Sequence, residues 1–383
     1  MKKLSIRAVG TALVTALWLG LVLFAWFSPA KAYSAAEKRP LAQMPELNAD
    51  TVFGTDETGA HPFMAGFEDF ALDQFPLRDS FRSIKALFHG YVLMNQDNNG
   101  YYYKDGYLAK QDLVLNTMGS SDVLAVDQKI TVLNKLYGSV LSQSGGKFYV
   151  SMVPDKSYYL AEKYGYPSMD YSLLEEKLRE GLSWAAYVDI TGSLELSDYY
   201  RTDTHWRQEN LIPTVQLLCQ AMGVSGPNQT DFVKTKVDKP FYGVYYAQAA
   251  LPHIKPDTMY VMESSLFDGV SITVDGMPKE DVYNMALLGS DDDYNIFLSG
   301  AKNGLVVIEN PNPATDKHLV IFRDSFGSSI APLFIGDYAK ITLIDLRVLN
   351  SNALPYLVDF QDADVLVLMS ALALNNADEA FLG

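Results

Sequence analysis

Residues 318–329 read HLVIFRDSFGSS. The unbroken apolar run at 318–322 reads as a strand buried on both faces. The small and polar residues that follow read as a turn opening a helix to about Tyr338. The same rhythm recurs on either side. Downstream, KITLIDL (340–346) is a strand, 350–361 is helical and DVLVLMS (364–370) is a strand. Upstream, 122–144 is a helix candidate and KFYVSMVPDK (147–156) is a strand ending in a turn. Then 170–185 is helical, AAYVDI (185–190) is a strand, and 206–223 is a helix closed by Gly223. Apolar strands alternating with helices imply an α/β protein whose parallel sheet is covered on both faces.

The rest of the chain is less regular. YYYKDGYLAK (101–110) carries a hairpin signal, two aromatic-rich strands around Asp105-Gly106. Residues 224–310 hold short strand patterns such as DTMYVME, VSITV and YNIFLSG and read as a mixed-strand insertion. Residues 63–95 have helical spacing broken at Pro76. Residues 33–62 are polar and rich in Pro, Asn and Asp, as in an extended stalk or arm. At the N-terminus, Lys2, Lys3 and Arg7 precede an uncharged, mostly apolar stretch, 9–27, and Ala30-Lys31-Ala32 fits an A-x-A cleavage pattern. The cleavage pattern favours a signal peptide over 1–32. The length of the apolar run favours a retained signal anchor. Under either reading the body, 63–383, is exported.

The 383 residues carry 30 Lys and Arg against 46 Asp and Glu, a net charge of −16, which argues against nucleic acid as a partner. Loss of 1–32 would remove only positive charge (Lys2, Lys3, Arg7, Lys31) and make the remainder more acidic. The one cysteine, Cys219, excludes an intramolecular disulfide and a cysteine zinc cluster, and its apolar surroundings read as a buried thiol.

Two segments carry candidate chemistry. The first is YYRTDTHW (199–206). Of five histidines, only His205 has both a carboxylate two residues before it and an aromatic directly after it, and in an extended segment residues i and i+2 project to one side. Asp203 can then accept the imidazole Nδ1 proton and leave Nε2 as a base, or the pair can cap the following helix. The second is IFRDSFGSS (321–329), where Ser325 lies at the carboxyl end of a buried strand, the edge at which open parallel sheets form their sites. Ser325 can be a nucleophile beside backbone N–H groups, or a simple helix cap. Together the segments supply a nucleophile (Ser325), a base (His205) and an orienting acid (Asp203). Gly300, in the YNIFLSG turn, is a candidate oxyanion donor. Arg201 and Arg323, which flank the two motifs, are candidate substrate contacts or partners of local carboxylates, and Tyr200 beside them is a candidate substrate contact. Tyr199, Tyr242, Tyr245 and Tyr246 can offer ring faces to a substrate or pack in strands. Asp291-Asp292-Asp293 reads as a solvated loop or a calcium site, and the chemistry calls for no metal and no cofactor.

YYRTDTHW followed far downstream by strand–RDSFGSS–helix resembles the family named for its DHHW motif, related to the SGNH-hydrolase-like proteins of alginate O-acetylation. Further matches are Glu37-Lys38-Arg39-Pro40, Asp73 to Arg78, Lys104 to Leu108, Val153-Pro154-Asp155-Lys156, Phe241-Tyr242-Gly243 and Tyr294 to Gly300. The resemblance spans roughly 34–370. It departs in reading Asp-Thr-His-Trp, with one histidine, and in lacking an evident carbohydrate-binding module at the C-terminus. It implies an SGNH-hydrolase-like (flavodoxin-like) parallel sheet flanked by helices, with Asp203, His205 and Ser325 as a triad. It also implies O-acetyl transfer to a glycan acceptor, with a membrane-bound acyltransferase partner supplying the acetyl group. A carbohydrate acetylesterase and an inactive glycan-binding or assembly protein are the alternatives.

Overall fold

The computed structural model describes residues 5–54, 62–93, 97–111, 115–118, 122–279, 281–300 and 303–383. Lys2 and Lys3 of the basic N-terminus, residues 55–61 of the expected arm and residues 94–95 of the expected helix lie outside these residues. The chain forms two compact units, Met1–Asn98 with Ala250–His253, and Asn99–Ala249 with Ile254–Gly383.

In the first unit, a helix runs over Ile6–Phe27, opened by Ser5, whose Oγ accepts from the Ala8 N–H. Its mean hydropathy reaches 2.1, and it is the one helix among the described residues long and apolar enough to cross a membrane. Residues 33–41, expected within an extended arm, contain a short antiparallel ladder, Tyr33–Ser34 with Arg39–Pro40. Arg39 grips Asp73 with both guanidinium nitrogens and Glu37 through Nε at 3.0 Å. Helices Pro62–Asp73 and Arg78–Leu87 meet at the break expected from Pro76, where Leu77 takes a positive φ of 59°.

The second unit is built on an eight-stranded sheet. Its strands in chain order are β1 (Lys147–Val153), β2 (Ala186–Tyr187), β3 (Ser271–Val274), β4 (Met277–Lys279), β5 (Leu305–Glu309), β6 (Thr315–Arg323), β7 (Tyr338–Ile344) and β8 (Asp364–Ser370). Their spatial order is β4-β3-β5-β7-β6-β8-β1-β2. The five strands from β7 to β2 pair in parallel, and β5, β3 and β4 extend one side as an antiparallel meander. Counted from β6, the parallel strands lie in the order 2-1-3-4-5 of flavodoxin-type sheets, with the chain entering that order at its fourth strand. The order reverses between β6 and β8.

Both faces are covered, as the continuous apolar strands require. Leu319 and Ile321 of β6 and Leu366 and Leu368 of β8 pack toward helix Ile212–Met222 and the ribbon Val233–Phe241/Asp257–Glu263. Val320 and Phe322, with Val365 and Val367, pack on the other face toward helices Ala125–Ser139 and Tyr171–Gly181. Each such fully buried side chain contributes about 1.5–3 kcal/mol of transfer free energy.

Five elements differ from expectation. The helix read over 350–361 is a 3-10 turn, Ser351–Ala353, followed by a four-residue helix, Leu354–Leu357. YNIFLSG is no strand: a 3-10 turn over Asp293–Ile296 is opened by Asp292, whose carboxylate accepts from the Tyr294 N–H, and Leu298, Ser299 and Gly300 follow with positive φ. The 224–310 stretch is only partly an insertion, since β3, β4 and β5 join the main sheet. AAYVDI pairs over two residues alone, at the sheet edge. The helix after Ser325 spans only Phe326–Ile330, because Pro332 turns the chain into a 3-10 segment before β7.

Candidate active site

Ser325 lies two residues beyond β6, at the carboxyl edge of the sheet and beside the point where strand order reverses. The turn that presents it is held by Asp324. One carboxylate oxygen accepts from the Phe326 N–H at 2.9 Å and the other from the Ser370 N–H, at the end of β8, at 2.8 Å. Asp324 therefore caps this turn and ties β6 to β8. The Ser325 side chain makes no capping bond and is half-buried, with its hydroxyl left for other contacts.

The partner segment, 199–206, is a tight reversal. Tyr199 bridges Trp206, and the Tyr200 N–H donates to the His205 carbonyl at 3.0 Å. Asp257 gathers the tip, accepting from the Arg201 N–H, the Thr202 N–H and the Thr202 hydroxyl at 3.0, 2.8 and 2.6 Å. Asp203 and His205 then face one side, as the i, i+2 spacing requires. The His205 Nδ1 lies 2.5 Å from Asp203 Oδ1, and its Nε2 lies 2.6 Å from Ser325 Oγ. Asp203 is 0% exposed and also accepts from the His205 and Val244 N–H groups at 3.0 and 2.8 Å. Burial pushes its carboxyl up. The imidazole and these N–H donors outweigh that and hold it below the usual carboxylate range. With the Nδ1 proton given to Asp203, Nε2 is a lone pair facing the serine hydroxyl.

Below the imidazole, Ser329 Oγ accepts from Trp206 Nε1 at 2.8 Å and lies 2.7 Å from the Tyr294 hydroxyl. Gln208 donates to the Ser329 carbonyl at 2.7 Å and accepts from the Met262 N–H at 3.0 Å. These buried polar groups lock the 199–206 segment to the turn after β6.

The structure moves the other expected contacts away from the hydroxyl. Gly300 gives its N–H to the Phe297 carbonyl at 2.9 Å, so that donor is committed inside its own turn. Tyr200 is fully buried, edge-on to Phe241 with centroids 5.0 Å apart, because its position lies in the paired stem of the reversal. Arg201 turns out toward solvent, with Nε 3.7 Å from Asp257. Arg323 is buried under the turn, donating to the Asn303 and Asp324 carbonyls at 3.2 and 3.4 Å and lying 3.8 Å from Asp345. Tyr199 and Tyr245 are buried, whereas Tyr242 is exposed and pairs with Tyr246 at 4.6 Å. In the acidic run, Asp293 accepts from Lys239 and from the Gly289 N–H, both at 2.7 Å.

Ser325 instead opens on a polar cavity of about 180 Å³ whose lining includes Lys110, Asn116, Thr204, Arg347, Asn376 and Glu379. Sequence reasoning missed these residues. Arg347 had a readable signal, lying just past the carboxyl end of β7, the same edge that carries Ser325. Arg347 binds Asp345 through Nε and Nη2 at 2.9 and 2.7 Å and Glu379 through Nη1 at 2.7 Å, so its charge is matched within the protein.

The motifs' resemblance is matched in the fold. A DHHW family protein from Eubacterium siraeum shares it with a TM-score of 0.60 at 21% identity, over 75% of this chain and 97% of that one. PatB1 from Bacillus cereus, solved with a sulfonyl adduct, shares it with a TM-score of 0.57 at 17% identity, over 74% of this chain and 98% of that one. The O-acetyltransferase domain of Pseudomonas putida AlgJ aligns with a TM-score of 0.44 at 15% identity, over 72% of this chain and 92% of that domain. No protein-family model matches the chain, and no curated protein matches it.

Proposed function

We propose that this chain is an O-acetyltransferase acting on a cell-surface or secreted polysaccharide through an acetyl-serine at Ser325. The observation that carries the reading is the unbroken hydrogen-bonded chain from Asp203 through His205 to the Ser325 hydroxyl. His205 Nε2 takes the hydroxyl proton as Oγ attacks the carbonyl carbon of an acetyl ester, while Asp203 stabilises the imidazolium. The imidazolium returns that proton to the departing alkoxide, and acetyl-Ser325 remains. A sugar hydroxyl, deprotonated by the same Nε2, then attacks the acyl carbon and restores the serine. The Ser325 N–H takes no part in the hydrogen bonds that fix its turn among the described residues and serves as an oxyanion donor.

The apolar helix Ile6–Phe27 is compatible with a signal or an anchor. On this reading it places the body outside the cytoplasmic membrane, where activated acetyl groups must be handed over by a membrane-bound acyltransferase. The test is hydrolysis of 4-nitrophenyl acetate, followed by mass analysis of an oligosaccharide acceptor. Ser325→Ala and His205→Ala should each abolish turnover while leaving circular dichroism unchanged, and the acceptor should gain acetyl groups. Free acetate without acetylated acceptor would make the protein an esterase. Full turnover by Ser325→Ala would end the serine mechanism.

A further inference from the structure

Lys156 stands where a lysine is costly. It is the first residue of helix Lys156–Tyr164, where the helix dipole disfavours a cation, and it is 0% exposed. Its Nζ donates to the Tyr200 carbonyl at 2.9 Å and reaches the Arg201 carbonyl at 3.4 Å. It also sits 4.7 Å from the centre of the Tyr245 ring. Tyr245 in turn takes the Thr204 hydroxyl at 3.0 Å, and the neighbouring Val244 N–H holds Asp203. The ammonium thus touches both walls of the cradle that aims Asp203 and His205, without touching Ser325. Its carbonyl contacts come two and three residues before Asp203 in the chain.

From this placement, and resting on the acyl-transfer reading above, we infer that Lys156 is a positioning residue whose ammonium pins the Tyr200–Arg201 backbone. Its loss of a proton would then switch off the Asp203–His205 pair. The charged and titratable groups that bear on it are Asp155 at its own helix cap, Asp203 on the reversal, Asp257 on the ribbon and Tyr245 of helix Val244–Ala249. Burial drives the ammonium's pKa down, the Asp203, Asp257 and Asp155 carboxylates drive it up, and burial prevails, leaving it at about 7. The pinned form is therefore full below neutrality and drains as pH rises through that value. A neutral amine retains a lone pair and fewer protons to donate, so it holds two carbonyls less well.

The experiment follows Ser325 acylation in the full chain between pH 6 and 9.5. The probes are 4-nitrophenyl acetate, with the Ser325→Ala rate subtracted at each pH, and a sulfonyl fluoride that labels Ser325. The expected result is an alkaline fall of about 10-fold per pH unit once the amine predominates, with unchanged circular dichroism. Lys156→Arg, which stays charged, should remove that fall. Lys156→Met should lower kcat by about 100-fold at every pH, with KM little altered. A profile flat to pH 9.5 in the unmodified protein overturns the inference even if both variants misfold. So does an alkaline fall that persists in folded Lys156→Arg. If Ser325→Ala matches the unmodified protein, the acyl-transfer reading fails instead, and the two failures are distinct.

Discussion

The imidazole of His205 lies flat against the phenol ring of Tyr294, centroids 3.7 Å apart and planes 7° from parallel. The face of the base is thereby closed and its tilt fixed, so its two nitrogens point only at Asp203 and Ser325. Tyr294 is itself fixed by its hydroxyl contact with Ser329. Tyr294→Phe keeps the ring and removes that contact. It should cost about 1 kcal/mol of stability in urea unfolding and leave kcat within a few-fold. Tyr294→Ala removes the stack and leaves a cavity. It should cost about 3–5 kcal/mol and lower kcat by about 100-fold.

The second prediction concerns Asp203. Its folded carboxyl lies below the ordinary carboxylate value, so the unfolded chain takes up this proton first as pH falls. The stabilisation is fully present above about pH 4, the unfolded carboxylate range, and is lost as pH falls through the folded value. Unfolding free energies of the unmodified protein and Asp203→Asn should differ by a constant amount from pH 5 to 8 and converge in stronger acid. Asp203→Asn should also lower kcat by about 10⁴-fold, because an amide no longer fixes the imidazole tautomer. A kcat within 10-fold of the unmodified protein would show that Asp203 does not orient the base.

What could be read from the sequence, and what could not, follows from the range of the interactions. The strand at 364–370 and the turn after β6 were legible because local periodicity and composition determine them. The Asp203–His205 pairing was legible because backbone geometry alone sends i and i+2 to one side. Tyr200 was not, since a tyrosine packed on Phe241 and one exposed to sugar are identical until the ribbon folds over it. Gly300 looked like an available donor, but a run of positive-φ residues folds its N–H back onto Phe297. Lys110, from the hairpin, reaches the cavity at Ser325 only through the tertiary fold. Tyr294 was hidden because an apolar heptapeptide reads as strand, whereas the Asp292 cap turns it into a 3-10 segment.

Gly243 gives the third prediction. Its N–H donates to Thr202 Oγ1 at 3.1 Å, and a methyl group built on its Cα would overlap both the Cβ and the Oδ2 of Asp203. The backbone of 243–244 can reach that carboxylate only because no side chain intervenes. Gly243→Ala must push Asp203 off its bonds to Val244 and His205. A loss of about 100-fold in kcat is expected, with a melting temperature lowered by only a few degrees. Unchanged kcat would mean that the cradle yields without moving Asp203.

The last prediction separates fold stability from catalysis. His318 on β6 lies beside β7, with Nε2 2.8 Å from the Thr342 hydroxyl and Lys340 opposite in register. Burial first, and the Lys340 charge second, push its pKa down to about 4, below the ordinary histidine value of about 6.5. The unfolded chain therefore binds a proton that the folded protein refuses between those two values. The neutral ring's contribution is intact above about pH 6.5, declines by at most about 1.4 kcal/mol per pH unit below it, and is fully lost once pH passes under the folded value. Urea titrations at pH 7, 6, 5 and 4.5 should show this slope in the unmodified protein and a shallower one in His318→Gln, whose amide cannot take up the proton. The acetyl-ester rate of His318→Gln at pH 7 should match the unmodified protein, because His318 lies at the entry end of β6, away from Ser325. Identical slopes in the two proteins would show that another group sets the acid sensitivity of this sheet.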